Sequence, residues 1–257
     1  MAIITLTTDL GLKDHYVSAV KGAILSQLPE VTIVDISHLV PKFEILQAAY
    51  ILKNAYPNFP AGTVHIIGIN AEATVKTPHI AMLVSGQYFI GADNGIFSFL
   101  FDRVPDKIVE LNFKQESDHL TFPTKDVFVK AACHLARGGT LEIIGDPVEN
   151  FTKSSYFSPA IDNMSIRGNA MYIDSYHNIV FNVPLKLFKE IGKGRPFTIF
   201  FRSFDIKNIS KTYNEVARGE VLALFNSAGY LEIAQNNGAI GKSESIQLNE
   251  NITIQFE

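Results

Sequence analysis

The chain has 257 residues, 47% of them hydrophobic and 19% charged, with a formal net charge of −4. That length suits one large domain or two unequal ones with ample core, and a negative balance excludes a nucleic-acid binder, which needs a basic face. The single cysteine, Cys133, excludes an internal disulfide, no apolar run reaches membrane length, and Met1-Ala2 opens onto a strand without a signal-like basic region; the expectation is a cytoplasmic protein with no membrane partner.

The first element is the apolar run Ile3-Ile4-Thr5-Leu6, a strand that stops at Thr7-Thr8-Asp9-Leu10-Gly11-Leu12-Lys13-Asp14. Asp14 is the expected N-cap of a helix whose buried stripe is Tyr16, Val17, Val20, Ala23, Ile24 and Leu28. Open α/β sheets place ligands beyond the carboxyl ends of their strands, so Asp9 would stand on a pocket rim. Its carboxylate suits the vicinal hydroxyls of a ribose; the alternative is a turn Asp that satisfies loop amides.

Pro29 ends the helix, and Val31 to Ile36 reads as a buried parallel strand. Phe43 to Leu52 is helical, closed by Pro57, Pro60 and Gly62, and Val64 to Ile69 is a third strand. His79 to Val84 and Tyr88 to Gly91 form a hairpin-like pair around Ser85-Gly86, and Ile108 to Leu111 is a further strand. Asp126 is the expected cap of the apolar helix bearing Cys133, read as a buried structural thiol, and Gly138-Gly139 ends it. Alternation of this kind predicts an α/β domain with a mostly parallel sheet over residues 1–150.

Residues 151–164, within a Ser-, Thr-, Asn- and Pro-rich stretch, read as a linker. Short strands then dominate residues 165–257: Ala170 to Ile173, Asn178 to Phe181, Phe197 to Phe201, Val221 to Phe225, Tyr230 to Ala234 and Ile252 to Ile254. Asn226-Ser227-Ala228-Gly229 is a hairpin turn, and only Pro184 to Ile191 is helical. The prediction is a small antiparallel β-barrel domain.

The seven histidines have no metal-ligand spacing, so no metal is expected, and no dinucleotide, triphosphate or serine-hydrolase motif is present. The candidates left are polar loop residues in both domains, among them Asp9, Asn70, Thr124, Asp174, Asn178, Ser227 and Asn237, each of which also suits a turn. Phe43, Phe122, Tyr176 and Tyr213 lie beside them and suit either core packing or a flat ring.

These residues fall in a recognisable order. Thr8-Asp9-Leu10-Gly11 with Asp14-x-Tyr16-Val17-x-x-x-Lys21-Gly22 resembles the opening signature of the S-adenosyl-L-methionine (SAM) hydroxide adenosyltransferase and halogenase family, which includes fluorinase and chlorinase. Further matches are Val34 to His38, Gly62 to His65, Asp93-Asn94-Gly95, Asp126-x-Phe128 with Ala131 to Ala136, Ile173-Asp174 with Asn178 and Asn182, and Asn226 to Ala234. The resemblance implies SAM as substrate with no cofactor, an α/β domain followed by a β-barrel, and homotrimers holding SAM between one subunit's first domain and a neighbour's second. It implies that Asp9 holds the ribose hydroxyls with Phe43 near the sugar, and that Asp174 and Ser227 bind the methionine amino group. Tyr176 and Asn178 would contact the adenine, Tyr213 would stack on it, and the Asn237 backbone would meet its edge.

The departures bear on the chemistry. The hydrolase branch has an Asp, an Arg and a His thought to hold the attacking water or hydroxide; the matching positions here are Asn70, Thr77 and Pro123, and the carboxylate-binding Arg after Ser227 is Ala228. The chain also lacks the halogenase Tyr, which matches Asn70. The resemblance then implies hydrolysis of SAM to adenosine and methionine, with Asn70 and Thr124 orienting the water and Lys125 or Lys76 supplying positive charge. The alternative is an adenosine or SAM binder that has lost the activating residues.

Overall fold

The first strand, β1 (Ile3–Thr8), sends Ile4 and Leu6 into one hydrophobic cluster, and Thr5, Thr7 and Thr8 are buried with them. Such a strand needs neighbours on both edges, and β2 (Thr32–Ser37) and β3 (Val64–Gly68) both pair with it in parallel. The computed structural model describes residues 2–113, 120–154 and 158–257. The chain divides into two compact units, Met1–Ser154 and Ser155–Glu257.

In the first unit β4 (His79–Val84), β5 (Gln87–Ala92), β6 (Lys107–Leu111) and β7 (Gly145–Pro147) complete a seven-stranded sheet ordered β2-β1-β3-β5-β4-β6-β7. The expectation of a mostly parallel sheet is corrected: β4–β5, β4–β6 and β6–β7 are antiparallel, so the sheet is mixed. The cause is local. Ser85 and Gly86 take φ of 52° and 78°, a two-residue reversal that turns β5 back beside β4.

Helices α1 (Tyr16–Gln27) and α4 (Val129–Ala136) cover one face, joined by Val20, Ile24, Val129 and Cys133. Helices α2 (Ile45–Ala55) and α3 (Ile96–Leu100) cover the other through Ala48, Leu52 and Phe97, and a short α5 (Leu141–Ile144) precedes β7. Neighbouring residues Ile66 and Ile67 belong to opposite clusters, as strand alternation requires.

Three local expectations change. α1 starts at Tyr16 with His15 at the cap position and no side-chain cap, so Asp14 does not cap it; Val17, Val20 and Ile24 are its buried residues while Tyr16 is exposed. Asp126 lies inside a π-helical turn, Thr124–Phe128, that runs directly into α4, so its carboxylate sits in the first turn and not at the cap. β2 is a half-buried edge strand, with β1 as its one sheet neighbour among the described residues.

The second unit contains β8 (Ala160–Ile161), β9 (Ser165–Ile173), β10 (Ile179–Pro184), α6 (Leu185–Gly192), β11 (Phe197–Phe201), β12 (Phe204–Ile206), β13 (Ile209–Ser210), β14 (Val221–Phe225), β15 (Tyr230–Gln235), α7 (Ile240–Ser243) and β16 (Asn251–Phe256). Its sheet runs β12-β11-β16-β9-β10-β15-β14-β13, with β8 beside β9. Inward residues at period two, Ile252, Ile254 and Phe256 among them, form its core with Phe181, Ile199 and Phe201. The pairing path ends at β12 and β13 without a ladder joining them among the described residues, and β13–β14 is parallel. The sheet is curled as a half-barrel, and the expected antiparallel pairing holds for every described strand pair of this sheet except β13–β14.

Candidate functional site

In the first unit, residues at the carboxyl ends of β1 and β3 come together. The Asp9 amide donates to Gly68 O at 3.4 Å, and Asp9 Oδ2 accepts the Phe43 amide at 3.0 Å. Phe43 has φ of 67° and its side chain is largely exposed, so the two residues predicted around a sugar are bonded neighbours. Asn70 follows β3 with φ of 43° and is exposed; Asn94 donates to Ile69 O at 3.0 Å and Asn70 O at 3.3 Å, holding the backbone beneath it.

Thr124 opens the π-helical turn and is buried. Its Oγ1 lies 2.8 Å from where a Cβ on Gly68 would stand. The absent side chain at Gly68 therefore lets Thr124 seat against the end of β3. Sequence reasoning missed Gly68; a glycine closing a β-branched strand is the signal that marks it. It also missed His79 at the start of β4. His79 Nε2 donates to Ala71 O at 2.8 Å, its ring meets Phe128 edge-on at 4.8 Å, and burial moves its pKa below the usual histidine value.

Phe122 packs edge-on against Tyr16, with ring centres 5.3 Å apart. Lys125 stands over the Phe122 ring at 5.7 Å and pairs with Asp126 at 3.0 Å. Lys125, expected as one source of positive charge, is thus paired with its neighbour. Lys76 is on a tight exposed turn closed by Thr74 and Thr77, whose hydroxyls are 2.7 Å apart. Cys133 is fully buried, and desolvation raises its thiol pKa, which suits a core residue.

In the second unit a cavity of about 490 Å³ is lined by Asp174, Tyr176, Asn178, Tyr213 and Asn237, five of the predicted residues, with Asn214, Gln235, Asn236 and Gly238. Asp174 closes its own turn: Oδ1 accepts the amides of Tyr176 at 2.9 Å and Asn178 at 2.8 Å, and Oδ2 accepts Asn178 Nδ2 at 3.1 Å. Tyr176 is left 75% exposed, its ring available as a stacking face. Asn237 holds φ of 52° in the loop after β15, and its Nδ2 donates to Asn236 Oδ1 at 2.9 Å.

Tyr213 is pinned from behind. Its hydroxyl donates to Glu232 Oε1 at 2.8 Å, while Asn226 Nδ2 donates to Glu232 Oε2 at 3.1 Å. Burial raises the Glu232 pKa against these two bonds, which act to lower it. Ser227 is exposed on the Asn226–Gly229 turn and does not line the cavity. A lining rich in amides, with one carboxylate and neither Lys nor Arg, accommodates a neutral or cationic ligand that offers both donor and acceptor edges. No group of three metal-ligating side chains occurs among the described residues, and none of their helices is long and apolar enough to cross a membrane.

Comparison with known proteins bears on both units. Residues 4–145 match the model of the SAM hydroxide adenosyltransferase N-terminal domain, and residues 168–253 match that of its C-terminal domain. The chain is 28% identical over 266 residues to a protein of Thermus thermophilus named (R)-S-adenosyl-L-methionine hydrolase, covering 97% of each. It is 30% identical over 247 residues to one of the same name from Methanocaldococcus jannaschii, covering 91% of this chain and 88% of that protein. A solved structure of an uncharacterised conserved protein from Thermotoga maritima superposes with a TM-score of 0.88 at 28% identity, over 99% of this chain and 100% of that one.

Proposed function

Since the chain belongs to the SAM hydroxide adenosyltransferase family, we propose that it is a SAM hydrolase, converting SAM and water to adenosine and methionine. The observation that carries this reading is the cavity that gathers Asp174, Tyr176, Asn178, Tyr213 and Asn237. Relatives named (R)-S-adenosyl-L-methionine hydrolase at 28% and 30% identity support it.

In the reaction a water oxygen bonds to ribose C5′ while the C5′–S bond breaks. The electron pair passes to sulfur, giving the methionine thioether, and the water proton leaves to solvent. The sulfonium is an activated leaving group, so no cofactor is required. Asp9 grips the ribose hydroxyls and Phe43 shields the sugar; Tyr176 and Tyr213 present ring faces to the adenine, and Asn178 and Asn237 meet its edge. Phe122 walls the sugar side, and Asp174 with Ser227 receives the methionine ammonium.

Asn70 and Thr124 orient the water opposite sulfur, and alignment of this kind is worth about 7–11 kcal/mol. Asn70 is no base, so water is delivered without being deprotonated. Lys125 adds positive potential while bound to Asp126. On this reading the enzyme works in the cytoplasm as a homotrimer with sites between subunits, its two domains spanning 1–150 and 165–257.

Incubation of the purified chain with SAM, followed by chromatography, is expected to yield adenosine above a heat-treated control; none above control overturns the reaction. Asp9→Ala is expected to weaken adenosine binding by calorimetry at least tenfold, since it removes a charge-assisted bond worth about 1.5–3 kcal/mol. A second reading, a binder without turnover, is favoured by the uncharged Asn70 and the paired Lys125. Calorimetric binding of SAM without adenosine release selects it.

A further inference from the structure

The turn that carries Asp9 is tied down by bonds that no ligand supplies. The Asp9 amide donates to Gly68 O at 3.4 Å, the Leu10 amide to Thr8 Oγ1 at 3.4 Å, and the Gly11 amide to His38 O at 2.8 Å. His38 holds this turn twice, because its Nδ1 also lies 2.7 Å from Thr8 Oγ1. Its Nε2 lies 3.1 Å from Asp35 Oδ1, and Asp35 Oδ2 is bonded to Lys21 Nζ at 2.6 Å.

The order hydroxyl, imidazole, carboxylate resembles a nucleophile with its base, but burial excludes that role. Thr8 is 0% exposed and His38 4%, so the hydroxyl meets no substrate. What the array fixes is the position of the Thr8 hydroxyl. Nδ1 and Thr8 Oγ1, 2.7 Å apart, share one hydrogen bond, while Nε2 stands at ion-pair distance from Asp35 without making a hydrogen bond to it. Thr8 Oγ1 also accepts the Leu10 amide, so the hydroxyl links the imidazole to the turn. One oxygen of Asp9, Oδ2, is already taken by the Phe43 amide, which further limits how the carboxylate can rotate.

We propose that His38 is a positioning residue, which acts through Thr8 and the Gly11 amide to hold the Asp9 carboxylate in the orientation that receives a ribose diol. The proposal rests on the reading of Asp9 as the sugar-binding carboxylate. It requires the clamp to be formed before any ligand arrives, so that binding spends none of its free energy ordering the turn.

The test uses the full chain and two readouts, hydrogen exchange of the peptide spanning residues 9–14 without ligand, and adenosine affinity by calorimetry. Thr8→Val, which keeps the shape and removes the hydroxyl, is expected to speed exchange and weaken adenosine about tenfold each. Thr8→Ser is expected to rescue both, which a purely steric role for the side chain would not give. Should Thr8→Val fail to fold, Asp35→Ala on the half-exposed edge strand decides the matter, with a change of about threefold in the same directions. Unchanged exchange in the folded variant, or faster exchange with unchanged adenosine affinity, overturns the clamp. A wild-type chain that binds no adenosine sinks the substrate reading, and the exchange result alone then judges the clamp.

Discussion

On the proposed reading, Asn70 aligns the water but cannot remove its proton. Asn70→Asp puts a carboxylate at that position, and general-base assistance is worth on the order of 10²-fold. Turnover is therefore expected to rise by about that factor, read as initial rates of adenosine release; an unchanged rate would show that proton removal does not limit the reaction. Gly68 makes a different kind of contribution. Gly68→Ala would set a methyl 2.8 Å from Thr124 Oγ1 and 2.9 Å from its Cγ2, both part of a buried side chain. The expected result is a loss of about 1–3 kcal/mol in urea unfolding, with slower turnover as Thr124 is displaced. Asp9, Asn70, Asp174 and Asn237 were all legible as polar loop residues. Gly68 and His79 were not, because their roles depend on Thr124, Ala71 and Phe128, which the chain brings to them only on folding.

At the scale of elements, a polar ladder crosses three neighbouring strands of the first sheet. Thr5 Oγ1 lies 2.7 Å from His65 Nδ1, His65 Nε2 lies 2.7 Å from Gln87 Oε1, and Gln87 Nε2 donates to Phe59 O at 2.8 Å. His65 is fully buried, its ring stacked on Phe89 at 4.6 Å, and desolvation lowers its pKa to about 4. In the unfolded chain this group titrates near 6.5, so between about 4 and 6.5 the unfolded state binds the extra proton. Stability is therefore expected to rise with pH across that window and to be independent of His65 above it. The full contribution is about 3 kcal/mol, from roughly 1.4 kcal/mol per pKa unit. Urea unfolding at pH 5, 6 and 7 measures it, and His65→Gln should flatten the slope. Helix starts were the least legible elements, because bends after Asp14 delay α1 to Tyr16, while a π-helical turn starts the helical run before Asp126.

At the scale of the whole molecule, Leu12, Leu39 and Phe43 are each more than 60% exposed, as is Tyr176. The homotrimer proposed above predicts a species of about three times 28.5 kDa by analytical ultracentrifugation. Dilution that dissociates it is expected to abolish adenosine binding, and a monomer that binds adenosine fully would overturn the shared site.

The sequence by itself determined the succession of strands and helices, the change of grammar between the two halves, and the family, because these are written in short-range patterns: β-branched runs, turn residues and ordered motifs. Only the tertiary structure decided that the first sheet is mixed and the second is curled. It also decided that Lys125 is paired, that Asp9 meets Phe43 across 34 positions, and that Thr5 meets His65 across 60. The reason is physical: strand direction and side-chain partnership are settled by which buried surfaces fit together, and residues distant in the chain have no partner until the core has formed.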